Sequence, residues 1–131
     1  MSIVLLIRTD QERAEIALGK KLVITDNCKW LAGRELSATL NHKIEELLQK
    51  NNIEFKDLGG LVFYSGPGSF TGLRIGVSVA NTLAYSLHIP IVGSVGESWQ
   101  KNGLTRIINN ENDKIVKLHY GSEPNITKSR K

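Results

Sequence analysis

The chain has one cysteine, Cys28, among its 131 residues. An internal disulfide is therefore excluded, and the composition fits a reducing cytoplasm better than a stapled secreted domain. Long hydrophobic runs are also missing. The N-terminal apolar stretch ends at Arg8, far short of the roughly 20 residues a membrane span needs, and it lacks the basic segment that opens a signal peptide. A cytoplasmic protein without a membrane contact is expected, and the sequon Asn125-Ile-Thr127 is read as chance. Histidine is scarce: His42, His88 and His119 have no metal-ligand spacing. No Ser-His-Asp or Cys-His constellation surrounds Cys28 either, so protease chemistry is not expected. No catalytic residue, metal ligand or cofactor is assigned. Charge of one sign is weak too, with 17 Lys and Arg against 13 Asp and Glu. No internal repeat or low-complexity tract is present.

What is there is patterned. Ser2 to Ile7 reads as a strand, and Glu12 to Leu18 and Lys21 to Thr25 complete a three-stranded antiparallel meander. From Glu35 the spacing turns helical, with Leu36, Leu40, Ile44, Leu47 and Leu48 on one stripe, and Asn51-Asn52 ends the helix. Gly59-Gly60 opens a central strand, a second helix follows over Thr71 to Leu87, and Ile89 to Gly93 reads as a last strand. The order βββαβαβ is that of a ribonuclease H-like, actin-type half-domain: α/β, a mixed sheet with helices packed on it. This domain is expected over residues 1–99. Residues 100–131 are expected to form a short extension, with Leu104 to Ile108 and Lys114 to Leu118 as a hairpin and Tyr120 to Lys131 as a disordered tail.

The densest signal is Leu61-Val-Phe-Tyr-Ser-Gly-Pro-Gly-Ser-Phe-Thr-Gly-Leu-Arg-Ile75, a buried strand, a rigid glycine loop and a helix start in succession. Gly66 and Gly68 can take positive φ and Pro67 fixes its own. Ser69 and Thr71 are candidate N-caps. Backbone N–H groups and a helix N-terminus would converge where an anion could sit, with Gly66, Gly68, Ser69 and Thr71 as its contacts; the alternative is a turn that only joins strand to helix. The spacing Gly66-x-Gly68-x-x-x-Gly72 fits neither the dinucleotide fingerprint nor the P-loop.

The run Gly66 to Gly76 closely resembles the GPGSFTGLRIG signature of the TsaB (YeaZ) family, and the likeness extends over roughly residues 1 to 99. The resemblance implies a non-catalytic subunit that binds a TsaD paralogue, with a TsaE-like ATPase, in forming threonylcarbamoyladenosine in tRNA. The chain departs from the pattern at two places. Ile7-Arg-Thr-Asp10 stands for the family's Ile-Asp-Thr-Ser, so Arg8 replaces the carboxylate that actin-type ATPases place near metal and phosphate. Leu36 replaces a histidine in the segment Arg34-Glu-Leu-Ser37. Family members also carry a second half, of which about thirty residues remain here.

In the family the helix pair packs against the equivalent pair of TsaD, or of a second TsaB. The expected partner-binding residues are Leu36, Leu40, Ile44 and Leu47 on the first helix and Gly72, Leu73, Gly76, Val77, Ala80 and Ala84 on the second. The row Gly72, Gly76, Ala80 would let a neighbouring helix approach closely; the alternative is that these small residues only pack on the sheet. Lys128, Arg130 and Lys131, after Lys114 and Lys117, offer a weak tRNA or acidic-partner contact or a solvated tail. A second function class, a small nucleotide-binding or ATPase-like module using the glycine loop for phosphate, stays open.

Overall fold

Continuous apolar runs, as opposed to alternating ones, belong to strands covered on both faces. Two such runs, Ile3–Arg8 (β1) and Leu58–Tyr64 (β4), lie side by side and parallel at the centre of a five-stranded sheet in the computed structural model, which describes residues 3–118. Arg13–Lys20 (β2) pairs antiparallel with β1, and Val23–Leu31 (β3) antiparallel with β2. Ile91–Ser94 (β5) continues the sheet beyond β4 in parallel, giving the order β3-β2-β1-β4-β5. This is the ribonuclease H-like arrangement that the element order implied. Leu5, Leu6 and Ile7 of β1 and Leu61, Val62 and Phe63 of β4 are fully buried.

β3 runs well past the expected end at Thr25, through Asp26 and Asn27 to Leu31. Its residues alternate between exposed and half-buried up to Trp30, which is buried, as fits an edge strand with one covered face.

Leu36–Lys50 (α1) and Phe70–Leu87 (α2) cover one face of the sheet. The stripe on α1 is buried as its spacing requires, with Leu36, Leu40, Ile44, Leu47 and Leu48 all inside. Each such side chain contributes roughly 1.5–3 kcal/mol by leaving water. The helix ends at Asn51-Asn52: Asn52 adopts φ +59°, and the Ile53 N–H returns to the Leu48 carbonyl at 2.9 Å. α2 stops in the same way at His88, with φ +57°, two residues before Pro90.

The opposite face is covered by a third helix, Trp99–Ile108 (α3), where the sequence suggested the first strand of a hairpin. Trp99, Gly103, Leu104 and Ile107 are buried at helical spacing. The helix sits close because little stands in its way: a Cβ on Gly103 would overlap Val62, while Gly19 and Gly60 lie under Leu104 and Ile107. Lys114 to Leu118 is not a strand either; it is irregular, with Val116 buried. Residues 99–116 thus belong to the same core as the sheet. The expected disordered tail and His119 lie outside the described residues.

Candidate functional site

The glycine loop leaves the end of β4 and enters α2 directly above the end of β1. Three backbone features set its course. Gly66 is buried at φ +124°, the Gly66-Pro67 peptide is cis, and the Tyr64 hydroxyl donates to the Pro67 carbonyl at 2.7 Å. Gly68 does not need a positive φ, contrary to the expectation from sequence; it needs the absence of a side chain, because a Cβ there would collide with Asp10. The same holds one turn on and two turns on. A Cβ on Gly72 would strike the Thr9 carbonyl, and one on Gly76 would strike the Thr9 hydroxyl and the Phe63 ring. The small-residue row therefore lets α2 lie on β1 and β4, not against a neighbouring helix. Thr9 closes the contact by donating its hydroxyl to the Gly72 carbonyl at 2.8 Å.

One backbone donor of the loop is already engaged. The Ser69 N–H donates to the Asp10 carbonyl at 3.1 Å, and the Ser69 side chain makes no cap bond to α2. Thr71 is exposed and lines two shallow cavities.

Beside the loop stands a charged pair. Arg8, at the position where the resemblance calls for a carboxylate, reaches Asp10 through two donors, Nε to Oδ1 at 2.7 Å and Nη2 to Oδ2 at 3.2 Å. Asp10 is a carboxylate two residues beyond the substituted position. Its carboxylate is buried, and its counter-ion is supplied by the chain itself. The guanidinium also lies 4.0 Å from the centroid of the Tyr64 ring, which meets Trp99 edge-on at 5.8 Å. The hydrogen bond to Asp10 raises the Arg8 pKa further, against the opposing effect of partial burial. Sequence spacing alone did not show this pairing, because Arg8 and Asp10 meet only where β1 ends and the chain turns.

The residues expected to bind a partner are mostly spent on the chain's own core. Leu36, Leu40, Ile44, Leu47, Leu73, Gly76, Ala80 and Ala84 are buried, and Gly72 and Val77 are half-buried. The accessible part of the helix pair is its outer flank. There Ser37 of α1 and Thr71, Arg74, Ile75, Ser78 and Val79 of α2 line an open cavity of about 460 Å³. A second cavity of about 400 Å³ adjoins it at Thr71 and Ile75 and reaches Arg34 and Glu12. Ile75 and Val79 are half-buried, and Arg74 stacks over Phe70 at 5.2 Å.

Comparison with known proteins bears on this arrangement. The family model for TsaD, tRNA N6-adenosine threonylcarbamoyltransferase, matches residues 30–94. The chain is 34% identical over 128 residues to the tRNA threonylcarbamoyladenosine biosynthesis protein TsaB of Buchnera aphidicola subsp. Schizaphis graminum, covering 91% of this chain and 59% of that protein. The chain belongs to the TsaB family. It is also 30% identical over 111 residues to the TsaB of Escherichia coli K12, covering 80% of this chain and 48% of that protein. Among solved structures, YeaZ from Pseudomonas aeruginosa is similar with a TM-score of 0.67 at 26% identity, over 72% of this chain and 44% of that one. This TsaB-family chain therefore spans only about half to three fifths of the length of those curated relatives. Among the described residues no helix is long and apolar enough to cross a membrane, and no cluster of three or more His, Cys, Asp or Glu forms. Cys28 is a free, half-buried thiol on β3, and His42 is exposed on α1, 3.1 Å from Glu46.

Proposed function

We propose that this chain is a non-catalytic subunit in the formation of threonylcarbamoyladenosine in tRNA, docking on a TsaD-type transferase through the outer flank of α1 and α2. The pathway follows from the named TsaB relatives. The observation that carries the docking reading is the coincidence of two features on one stretch. The flank of α1 and α2 is open and partly apolar, and the TsaD family model matches residues 30–94, which contain both helices. A partner built on a similar helix pair can meet this one face to face about a pseudo-two-fold axis, as isologous surfaces do. A second copy of the chain is the competing occupant of the same flank. In this reading a TsaE-type ATPase and tRNA are met by the assembled complex, in the cytoplasm.

The nucleotide-module reading fares worse on the residues at hand. Both oxygens of Asp10 are engaged by Arg8, and the loop glycines are filled by Thr9 and Asp10. The Ser69 N–H is already donated.

The experiment is co-purification of the chain with the TsaD-type protein of its own cell, with fluorescent ATP titrated into the isolated chain in parallel. A stable complex and no saturable ATP binding are expected. Saturable ATP binding by a chain that ignores the TsaD-type protein would overturn the proposal.

A further inference from the structure

The open flank of α1 and α2 carries two arginines that the chain leaves without a carboxylate. Arg8 and Arg106 each hold an acidic side chain of their own chain. Arg74, exposed on α2, has no ion pair among the described residues, and neither has Arg34, exposed just before α1. Each borders one of the two adjoining cavities, Arg74 the larger and Arg34 the smaller.

Arg74 is also held in place. Its guanidinium lies 5.2 Å from the centroid of the Phe70 ring, one turn earlier on α2, while none of its N–H groups meets an acceptor among the described residues. A guanidinium already stacked has less freedom left to lose on pairing, and its planar fork matches a carboxylate. Phe70 is 47% exposed. Beside this stack the half-buried Ile75 and Val79 supply an apolar floor. Arginine and aromatic side chains around such a floor are the types in which binding energy concentrates at protein interfaces.

We propose that Arg74, with Arg34 as a second cation, takes carboxylates on the rim of an amphipathic helix of the docking partner, whose apolar face lies on Ile75 and Val79. This rests on the reading that a TsaD-type protein docks on the flank, and adds the occupant's chemistry: apolar in the middle, acidic at the edge. A polynucleotide fits less well. RNA is held by several phosphate contacts at once, whereas Glu12 shares a cavity with Arg34, Glu35 follows it in the chain, and the floor is aliphatic. A second copy fits less well too. A two-fold contact sets one patch against itself, so it would bring the same two arginines again, with only Glu12 and Glu35 to receive them.

The test is titration calorimetry of the full chain with the TsaD-type protein of its own cell, at several salt concentrations. Arg74→Glu is expected to weaken binding about ten-fold or more, and Arg74→Gln to weaken it less and to flatten its dependence on salt. Lys101→Glu makes the same change in net charge on α3, away from the flank, and should keep affinity within about three-fold. Circular dichroism first shows each variant to be folded. The decisive arm exchanges the charges: among single Asp→Lys and Glu→Lys changes on the partner, at least one should recover binding of Arg74→Glu while weakening binding of the parent chain. No recovery by any of them would overturn the carboxylate assignment. Equal binding by Arg74→Glu and Lys101→Glu would overturn the role of Arg74 and leave the docking reading standing, whereas a parent chain that does not bind the TsaD-type protein overturns both. Loss of tRNA retention on a filter, or of self-association in sedimentation, with partner binding intact in Arg74→Glu, would assign the arginine to RNA or to a second copy and overturn the proposal.

Discussion

Thr9 and Gly72 hold β1 and α2 together from both directions: the Thr9 hydroxyl donates to the Gly72 carbonyl, and the bare Cα of Gly72 faces the Thr9 carbonyl where any Cβ would collide. The helix cannot be lifted without breaking that bond, and it cannot settle unless residue 72 is glycine. Gly72→Ala is therefore expected to destabilise the fold by roughly 1–3 kcal/mol, the usual cost of forcing extra volume into a packed contact. Gly76→Ala should behave alike, and Thr9→Ala should cost about 1 kcal/mol for its hydrogen bond. Ser78→Ala, exposed on the same helix, is the control. Urea unfolding midpoints check this, and a Gly72→Ala midpoint equal to that of Ser78→Ala would show that the strand end yields.

The Arg8 and Asp10 pair is expected to matter more when broken than when removed. Arg8→Met leaves the buried Asp10 carboxylate without its counter-ion. Loss of one partner from a fully buried pair costs about 3–5 kcal/mol; the partial exposure of Arg8 puts the expectation at roughly 2–3 kcal/mol. Adding Asp10→Asn should recover most of that, since the remaining amide carries no charge. A thermal melt of the double variant no higher than that of Arg8→Met alone would mean that Asp10 is stabilised by other groups.

The central strands and the first two helices were legible because each signal was local. The apolar runs of β1 and β4 and the stripe of α1 are read directly off consecutive residues, and Asn51-Asn52 ends α1 as its chemistry suggests. α3 was not legible. Leu104 to Ile108 is a short apolar run with β-branched residues, which suits strand and helix alike. The deciding residues, Trp99 and Gly103, lay outside it. β3 was cut short because Asp26-Asn27 looks like a turn, although Asp26 is anchored from α1 by Lys50 at 3.2 Å. At the loop, the need for glycine was visible but its cause was not. What Gly68, Gly72 and Gly76 avoid is Thr9 and Asp10, nearly sixty residues or more away in sequence. The apolar stripes that suggested docking, Leu36 to Leu47 and Leu73 to Ala84, are mostly buried in the chain's own core, which their spacing alone does not distinguish from a docking face.

Acid should weaken the pair that Arg106 of α3 makes with Asp113. Burial works against the charge of Asp113, but Arg106 and the Gly93 N–H outweigh it and hold the carboxyl below its usual value. A lowered folded-state pKa stabilises the fold above the unfolded carboxylate value, near 4, and that contribution is lost as pH falls through the lower folded value. The melting difference between parent and Arg106→Gln should thus be larger at about pH 6 than at about pH 3. It should stay below roughly 1 kcal/mol, because both side chains are about one-third exposed. A difference that grows on acidification would assign the effect to other groups.

The docking proposal makes a sharper demand. Ala80 is fully buried, so a charge there would report on folding and not on binding. Val79 and Ile75 are the informative positions, being half-buried along the open flank of α2. Val79→Glu leaves the isolated chain able to turn its carboxylate to solvent, but in the complex that carboxylate would be enclosed without a partner. The resulting desolvation costs several kcal/mol, and a micromolar complex rests on about 8 kcal/mol in all. Affinity for a TsaD-type protein should therefore fall at least about a hundredfold, a loss of roughly 2.7 kcal/mol. Lys101→Glu, exposed on α3 across the sheet, should change it by less than about 1 kcal/mol. Titration calorimetry with both variants, each first shown to be folded by circular dichroism, decides the matter. Equal binding by Val79→Glu and Lys101→Glu would move the partner away from the helix pair.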